Sequence, residues 1–257
     1  MRISRPLRAL VVVDGTDVHH DLLGAAEALR DIVLEAGVVA DRAVGIDRFV
    51  DPMPVTAEAD VYVLYRSSVH LDPDQQTALA DAVAAGKGLV VLHASNLFGF
   101  GPDGLDGDRV AHELVGSRYL SHGDQGSEGR YTVRLLPEQV RAGHPASDHP
   151  VLAHLDDFEI DDEYYVIETT SDVTVLAERA TSDGGTQPVV YVREHGRGRV
   201  CYVALGHDMR AWGSPHFRQL VRQAVLWAGG VDESAVETWS TRYPLGNGRS
   251  IGPGGTR

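Results

Sequence analysis

A chain of 257 residues is long enough to bury a full core and fits one large α/β domain or two small ones. Its 37 acidic against 23 basic residues give a formal charge of −14, which argues against nucleic acid or an anionic membrane surface as a partner. The single cysteine, Cys201, excludes an intrachain disulfide and a cysteine-based zinc cage, and no run approaches the ~18 apolar residues of a membrane span.

The opening MRISRPLRALVVVDG carries basic residues before a short apolar run, but that run leads into Asp14-Gly15 without a small-residue cleavage site. A first strand over residues 9–13 is therefore expected, not a leader, and a cytoplasmic protein with it. After a loop holding His19 and His20, residues 21–36 repeat Leu22, Ala25, Ala26, Leu29, Ile32, Val33 and Ala36 at helical spacing, with Gly37 as the stop. Residues 42–50 read as a weaker edge strand. VYVLY at 61–65 is a second strongly apolar strand, ending at Arg66-Ser67-Ser68.

Asp72-Pro73-Asp74-Gln75 opens a helix with a cap, a first-turn proline and a capping-box glutamine. That helix presents Leu79, Val83 and Ala84 and stops at Gly86. KGLVVLHAS at 87–95 follows directly. A continuous apolar run bounded by glycine and by polar residues suits a strand buried on both faces. The order so far, βα(β)βαβ, is that of a doubly wound, mostly parallel sheet with helices on both faces.

Beyond Ser95 the pattern changes. Residues 96–107 read as a Gly-rich loop, 109–115 as a short helix and 116–129 as a polar loop. A mainly β insert follows, with strands at 131–136, 158–169, 173–179 and 188–194. The last pairs with a core strand at 199–205 across His195-Gly196-Arg197-Gly198. Ser214-Pro215 caps a closing helix whose apolar face is Phe217, Leu220, Val221, Ala224, Val225 and Ala228. Residues 1–230 are read as a single α/β domain, and 231–257 as a polar, Gly-rich tail.

Four strong strands end in polar residues: the Asp14 loop with His19 and His20, Arg66, His93 with Ser95, and Gly206-His207-Asp208. In an open parallel sheet ligands sit outside the carboxyl ends of the strands. Histidines at three such ends therefore point to a site at one rim. Asp21 reads as a helix cap before a site residue, and Arg66 as a salt-bridge or rim residue. His207 serves equally as a site or a backbone-bonded group, and His122 in LSHGDQG would ordinarily be solvated. Asp161-Asp162-Glu163 reads by default as a solvated acidic turn. Tyr164-Tyr165 beside it suggests that part of the run is drawn inward, where crowding would raise a carboxyl pKa into general acid–base range.

Other motifs are weak. Residues 99–104 match G-x-G-x-x-G but follow a loop, contain Pro102 and open no helix, so neither NAD nor flavin is expected. There is no G-x-S-x-G elbow. Cys201 lies inside a strand and reads as core. Gly143-His144-Pro145 and Asp148-His149-Pro150 read as turn-setting pieces.

Taken together, His20-Asp21, GLVVLHAS, Glu113-Leu114-Val115-Gly116 with Tyr119 and His122, His149-Pro150-Val151, Asp162-Glu163-Tyr164, Gly198-Arg199-Val200 and Ala204-Leu205-Gly206-His207 resemble the trehalose-utilisation (ThuA-like) family over residues 10–228. That family is related in fold to class I glutamine amidotransferases. The resemblance implies a flavodoxin-like α/β sandwich and a role in breaking down disaccharides or other glucosides, in pathways where a sugar is first oxidised at its third carbon. Where the amidotransferases carry a nucleophilic cysteine, this chain reads His93-Ala94-Ser95, which excludes the Cys-His route.

The expected partner is a small-molecule carbohydrate, and a homo-oligomer is allowed. On a 3-keto-glycoside, Glu163 or a neutral histidine would remove the acidified proton, while His93, His122 or His207 polarises the carbonyl or protonates the leaving group. His20, Asp21, Arg66, Ser95, Asp162 and Tyr164 are the expected substrate contacts. His20, His93 and His207 could instead hold a divalent metal such as zinc. A two-carboxylate glycosidase using Asp21, Asp162 or Glu163 is a less favoured version. A sugar-sensing or pathway-assembly module without turnover is the non-enzymatic alternative.

Overall fold

The structure, a computed structural model, describes residues 5–16, 18–67, 71–96, 109–124, 126–136 and 149–231. The Gly-rich loop with its G-x-G-x-x-G, the Gly143-His144-Pro145 turn and the tail beyond Val231 lie outside them.

Five strands make a parallel sheet: β1 (Arg8–Gly15), β2 (Val39–Val44), β3 (Val61–Ser67), β4 (Gly88–Leu92) and β11 (Gly198–Val203), in the order β2-β1-β3-β4-β11. Between the first four come α1 (Leu22–Glu35), the single turn α2 (Pro54–Ala57) and α3 (Pro73–Ala84). The period of two sends alternate strand residues to opposite layers. Val11, Val13, Val63, Val90, Cys201 and Val203 meet α1 and the closing helix α6 (Pro215–Ala228), which follows the single turn α5 (Met209–Trp212). Leu10, Val12, Leu64, Leu89, Val91 and Val200 meet α3 and α4 (Arg109–Val115). Burial on both sides is why these strands read as unbroken apolar runs.

Local signals set the helix ends. The Asp21 carboxylate accepts from Gly24 N–H at 2.8 Å, Asp72 and Gln75 form the reciprocal capping box, and Ser214 caps α6. His149 Nδ1 accepts from Val151 N–H, the turn-setting role expected of it.

The insert does not form a separate body. β10 (Thr186–His195) pairs antiparallel with β11 through the expected hairpin, and β9 (Thr174–Ala180), β6 (Glu128–Leu135) and β7 (Phe158–Glu163) extend the same sheet to nine strands. Three expectations change. The edge strand is Val39–Val44, and Ile46–Phe49 form a 3-10 turn started by Gly45 at φ +88°. Within the expected polar loop, β5 (Ser117–Ser121) is a strand. It pairs with β8 (Val166–Thr169) in a two-stranded sheet, so the expected strand at 158–169 is two strands in different sheets. Alternation along a sequence marks extended chain but not where the chain changes partner.

Gly88 opens β4 where the sheet meets the carboxyl end of α6. A Cβ there would lie 2.4 Å from the Ala228 carbonyl oxygen, a backbone atom that cannot step aside. Gly88→Ala is expected to lower stability by about 1–3 kcal/mol. Urea unfolding at unchanged m-value measures it.

Candidate functional site

The carboxyl ends of β1, β4 and β11 carry His20, His93 and His207, and the end of β7 brings Glu163 between them. Ring centroids of His20 lie 5.2 Å from His93 and 5.0 Å from His207, and those of His93 and His207 are 5.4 Å apart. Glu163 Oε2 is 3.2 Å from His93 Nε2 and 3.3 Å from His122 Nε2. Its Oε1 is 3.5 Å from His207 Nδ1. Residues separated by up to 187 positions in the chain thus form one cluster.

His93 is the innermost of these groups, with no exposed surface. It sits immediately after β4 with φ at +51°, a left-handed conformation unusual for a side-chain-bearing residue. Two contacts hold it there. Its Nδ1 lies 2.9 Å from the Ala204 carbonyl, and the Tyr202 hydroxyl donates to its own carbonyl at 3.2 Å. A carbonyl can only accept, so Nδ1 carries the proton and Nε2 is the atom turned into the cavity. Tyr165 stacks on the ring at 4.5 Å, with its hydroxyl 3.3 Å from Nε2. His122 is more exposed than His93 and His207, and its Nδ1 is 2.9 Å from the Tyr119 hydroxyl. Beside it opens a groove of about 320 Å³, lined by His122, Asp124, Arg179, Thr181, Asp183 and Gln187 among others.

The adjacent carboxylates have opposite fates. Asp162 is 1% exposed. It accepts from the backbone N–H of Gly206 at 2.7 Å, of His207 at 3.1 Å and of Glu163 at 2.8 Å. Burial raises its pKa, against the pull of His93 and these three donors. Burial would also raise Glu163, but the hydrogen bond and charge of His93, with the charges of His207 and His122, bring it down to about 2. The crowding expected to lift the active carboxyl therefore acts on Asp162, while Glu163 stays ionised. For His93, burial alone would lower the pKa, yet Glu163 and Asp162 outweigh it and raise it.

Of the expected site residues, His20, His93, His122, Glu163 and His207 converge. The other five are held by protein groups or buried in the strands. Asp21 spends its carboxylate on the α1 cap. Arg66 is fully buried, one residue before the end of β3. Ser95 is fully buried too, its hydroxyl donating to Leu64 O and accepting from Arg66 N–H, a stitch between β3 and the turn after β4. Asp162 is consumed by backbone donors. Tyr164 lies 5.1 Å under the Arg179 guanidinium. The acidic run is a strand end, not a solvated turn, because Phe158, Ile160 and Asp162 point into the protein. Sequence reasoning gave no role to Tyr165, Tyr119 or Tyr65. The strand VYVLY ending in Tyr65, whose hydroxyl donates to Gly206 O at 3.0 Å, was the available signal for the last.

Asp162→Ala would strip three backbone N–H groups, one buried and two partly buried, of their acceptor and is expected to cost about 2–4 kcal/mol. Glu163→Gln, which leaves those bonds in place, should unfold close to the wild-type midpoint. Equal losses in denaturant melts would refute this division of labour.

Similarity to known proteins agrees with the architecture. The chain aligns with a ThuA-like protein of Parabacteroides merdae ATCC 43184 at 16% identity and TM-score 0.68, covering 89% of this chain and 91% of that one. A ThuA-like protein of Bacteroides uniformis ATCC 8492 gives 17% identity and TM-score 0.69, with 91% and 96% covered. A protein of Salmonella typhimurium LT2 described as cytoplasmic gives 17% identity and TM-score 0.55, with 86% and 98% covered. At these identities the likeness shows the fold. No curated protein matches the sequence. The profile of the trehalose utilisation (ThuA) family matches residues 8–228, and the chain belongs to that family.

Proposed function

We propose that this protein is a carbohydrate-catabolic enzyme that cleaves glycosides already oxidised to a ketone at the third carbon. The observation that carries the reading is Glu163 held between the imidazoles of His93, His122 and His207. The family's trehalose utilisation supplies the substrate class.

A ketone at C3 acidifies the C2–H bond. A base takes that proton, the electron pair forms the C2–C3 enolate, and the enolate then collapses to break the C1–O bond. The departing alkoxide gains a proton, leaving an enone, and addition of water to the enone would complete a hydrolysis. Ionised at neutral pH, Glu163 is too weakly basic to be the preferred carbon base. It better serves to orient the imidazoles and fix their protonation. His122, at the groove and backed by Tyr119, is placed to move the proton. His93 and His207, deeper in the cavity, face the developing enolate oxygen. The groove beside His122 gives the departing sugar or alcohol a place to lie. A cytoplasmic location accords with this role. Among the described residues no helix is long and apolar enough to cross a membrane, and the Salmonella protein of like fold is described as cytoplasmic.

The test is incubation with a panel of 3-keto-glucosides, 3-keto-trehalose among them, with divalent metals supplied. Wild type should release the alcohol or second sugar, and His122→Ala and Glu163→Gln should lower kcat by roughly 10²–10⁴-fold with the fold intact. If wild type leaves the whole panel untouched while binding it as tightly as Glu163→Gln does, the protein is a sugar-sensing or assembly module instead.

A further inference from the structure

We propose that His20, His93, His207 and Glu163 form a mononuclear site for a divalent first-row metal ion, zinc or a neighbour of zinc. The ion's part in turnover rests on the function proposed above, but its binding does not.

The geometry comes first. These four residues each offer a ligand atom, and all four atoms lie within 4.8 Å of one another. Ligands at 2.0–2.1 Å around a tetrahedral ion stand about 3.4 Å apart. Glu163 Oε2 lies 3.2 Å from His93 Nε2 and Oε1 lies 3.5 Å from His207 Nδ1, each close to that spacing, and the remaining separations, within 4.8 Å, would contract around an ion.

The second argument is how the rings are held. With His93 Nδ1 bonded to Ala204 O, Nε2 is the ring atom left to face the Glu163 carboxylate. A ligand imidazole whose other N–H is tied to a backbone carbonyl is also the usual way a protein fixes a metal-binding tautomer. His207 likewise turns a buried Nδ1 towards Glu163, at 3.5 Å, with no hydrogen-bond partner among the described residues. Asp162 holds the backbone of both Glu163 and His207, so the ligands are positioned before any ion arrives.

The donor set then selects the ion. Three imidazoles and one carboxylate suit zinc, cobalt, nickel, iron or manganese, whereas calcium and magnesium prefer all-oxygen shells. His122 touches Glu163 but is outside the set of mutually close donors, which leaves it free for proton transfer. A second group of close donors, Glu128, His207 and Asp208, is not a rival. Arg210 pairs with both of its carboxylates.

The experiment uses the full chain, freed of any affinity tag, dialysed against chelator and reloaded with Zn²⁺ or Co²⁺. Expected are one ion per chain after gel filtration, by elemental analysis, and visible Co²⁺ absorption bands of nitrogen and oxygen ligation. His207→Ala and Glu163→Gln should weaken Zn²⁺ binding at least tenfold in competition with a chelator, while His122→Ala stays within about twofold. Circular dichroism checks the fold, and His20→Ala stands in for any ligand variant that fails to fold. Sub-stoichiometric metal, or equal affinity in wild type and every ligand variant, overturns the site. One tightly held ion in a protein inert to all 3-keto-glucosides upholds the site and overturns the reaction. Full turnover by metal-free protein, with the ion still bound on reloading, upholds the site and removes the ion from the chemistry.

Discussion

The Asp162 carboxylate joins the two halves of this sheet at the point where the candidate site is built. It lies at the end of β7, on the far edge of the antiparallel wing, and accepts the N–H groups of Gly206 and His207 just beyond β11 in the parallel core. Burying a carboxylate is costly unless its lone pairs are filled, and here three backbone donors fill them. The contact folds the wing over the strand ends. It also sets both neighbours, because Glu163 follows it on the strand and His207 supplies one of its donors. Gly206 sits at φ +116° in this turn, a conformation that side-chain-bearing residues rarely adopt, and its carbonyl accepts from both Tyr65 and Trp212.

Around that contact the cavity is lined by rings. Tyr165 stacks on His93, Tyr119 packs on Tyr165 at 4.9 Å, and Tyr65 stands behind His93 and His20. Burial raises the hydroxyl pKa of Tyr165 well above the usual value and pushes Tyr119 up to about 12, in each case with help from the Glu163 charge. Both stay neutral hydrogen-bonding groups near neutral pH. The left-handed backbone of His93 aims its imidazole out of the end of the central strand β4.

The clustering of charge also explains why adjacent carboxylates behave so differently. In a strand, successive side chains leave on opposite faces. Asp162 therefore meets backbone and Glu163 meets histidines, though both are buried acids one position apart. A reading by composition treats the run as one acidic feature. The strand geometry divides it into a structural member and a chemical one.

The sequence by itself determined the parallel core. Unbroken apolar runs such as VVV, VYVLY and GLVVL can be accommodated only where both faces are covered, and Asp21, Asp72 and Ser214 mark helix starts through bonds made within a few residues. It also placed His20, His93 and His207 at strand ends, because a parallel sheet puts all those ends on one side. Tertiary structure alone decided which neighbours of those histidines face the cavity. Ser95 and Asp162 look like rim residues in one dimension, yet each is committed to groups distant in the chain, Ser95 to Leu64 and Asp162 to Gly206 44 positions away. The split of residues 158–169 between two sheets was equally hidden, since one extended segment can satisfy its backbone with either of two partners. Local propensity acts over a turn or two of chain. The destination of a polar side chain is set by whichever unpaired donors and charges folding brings within 3 Å or so of it.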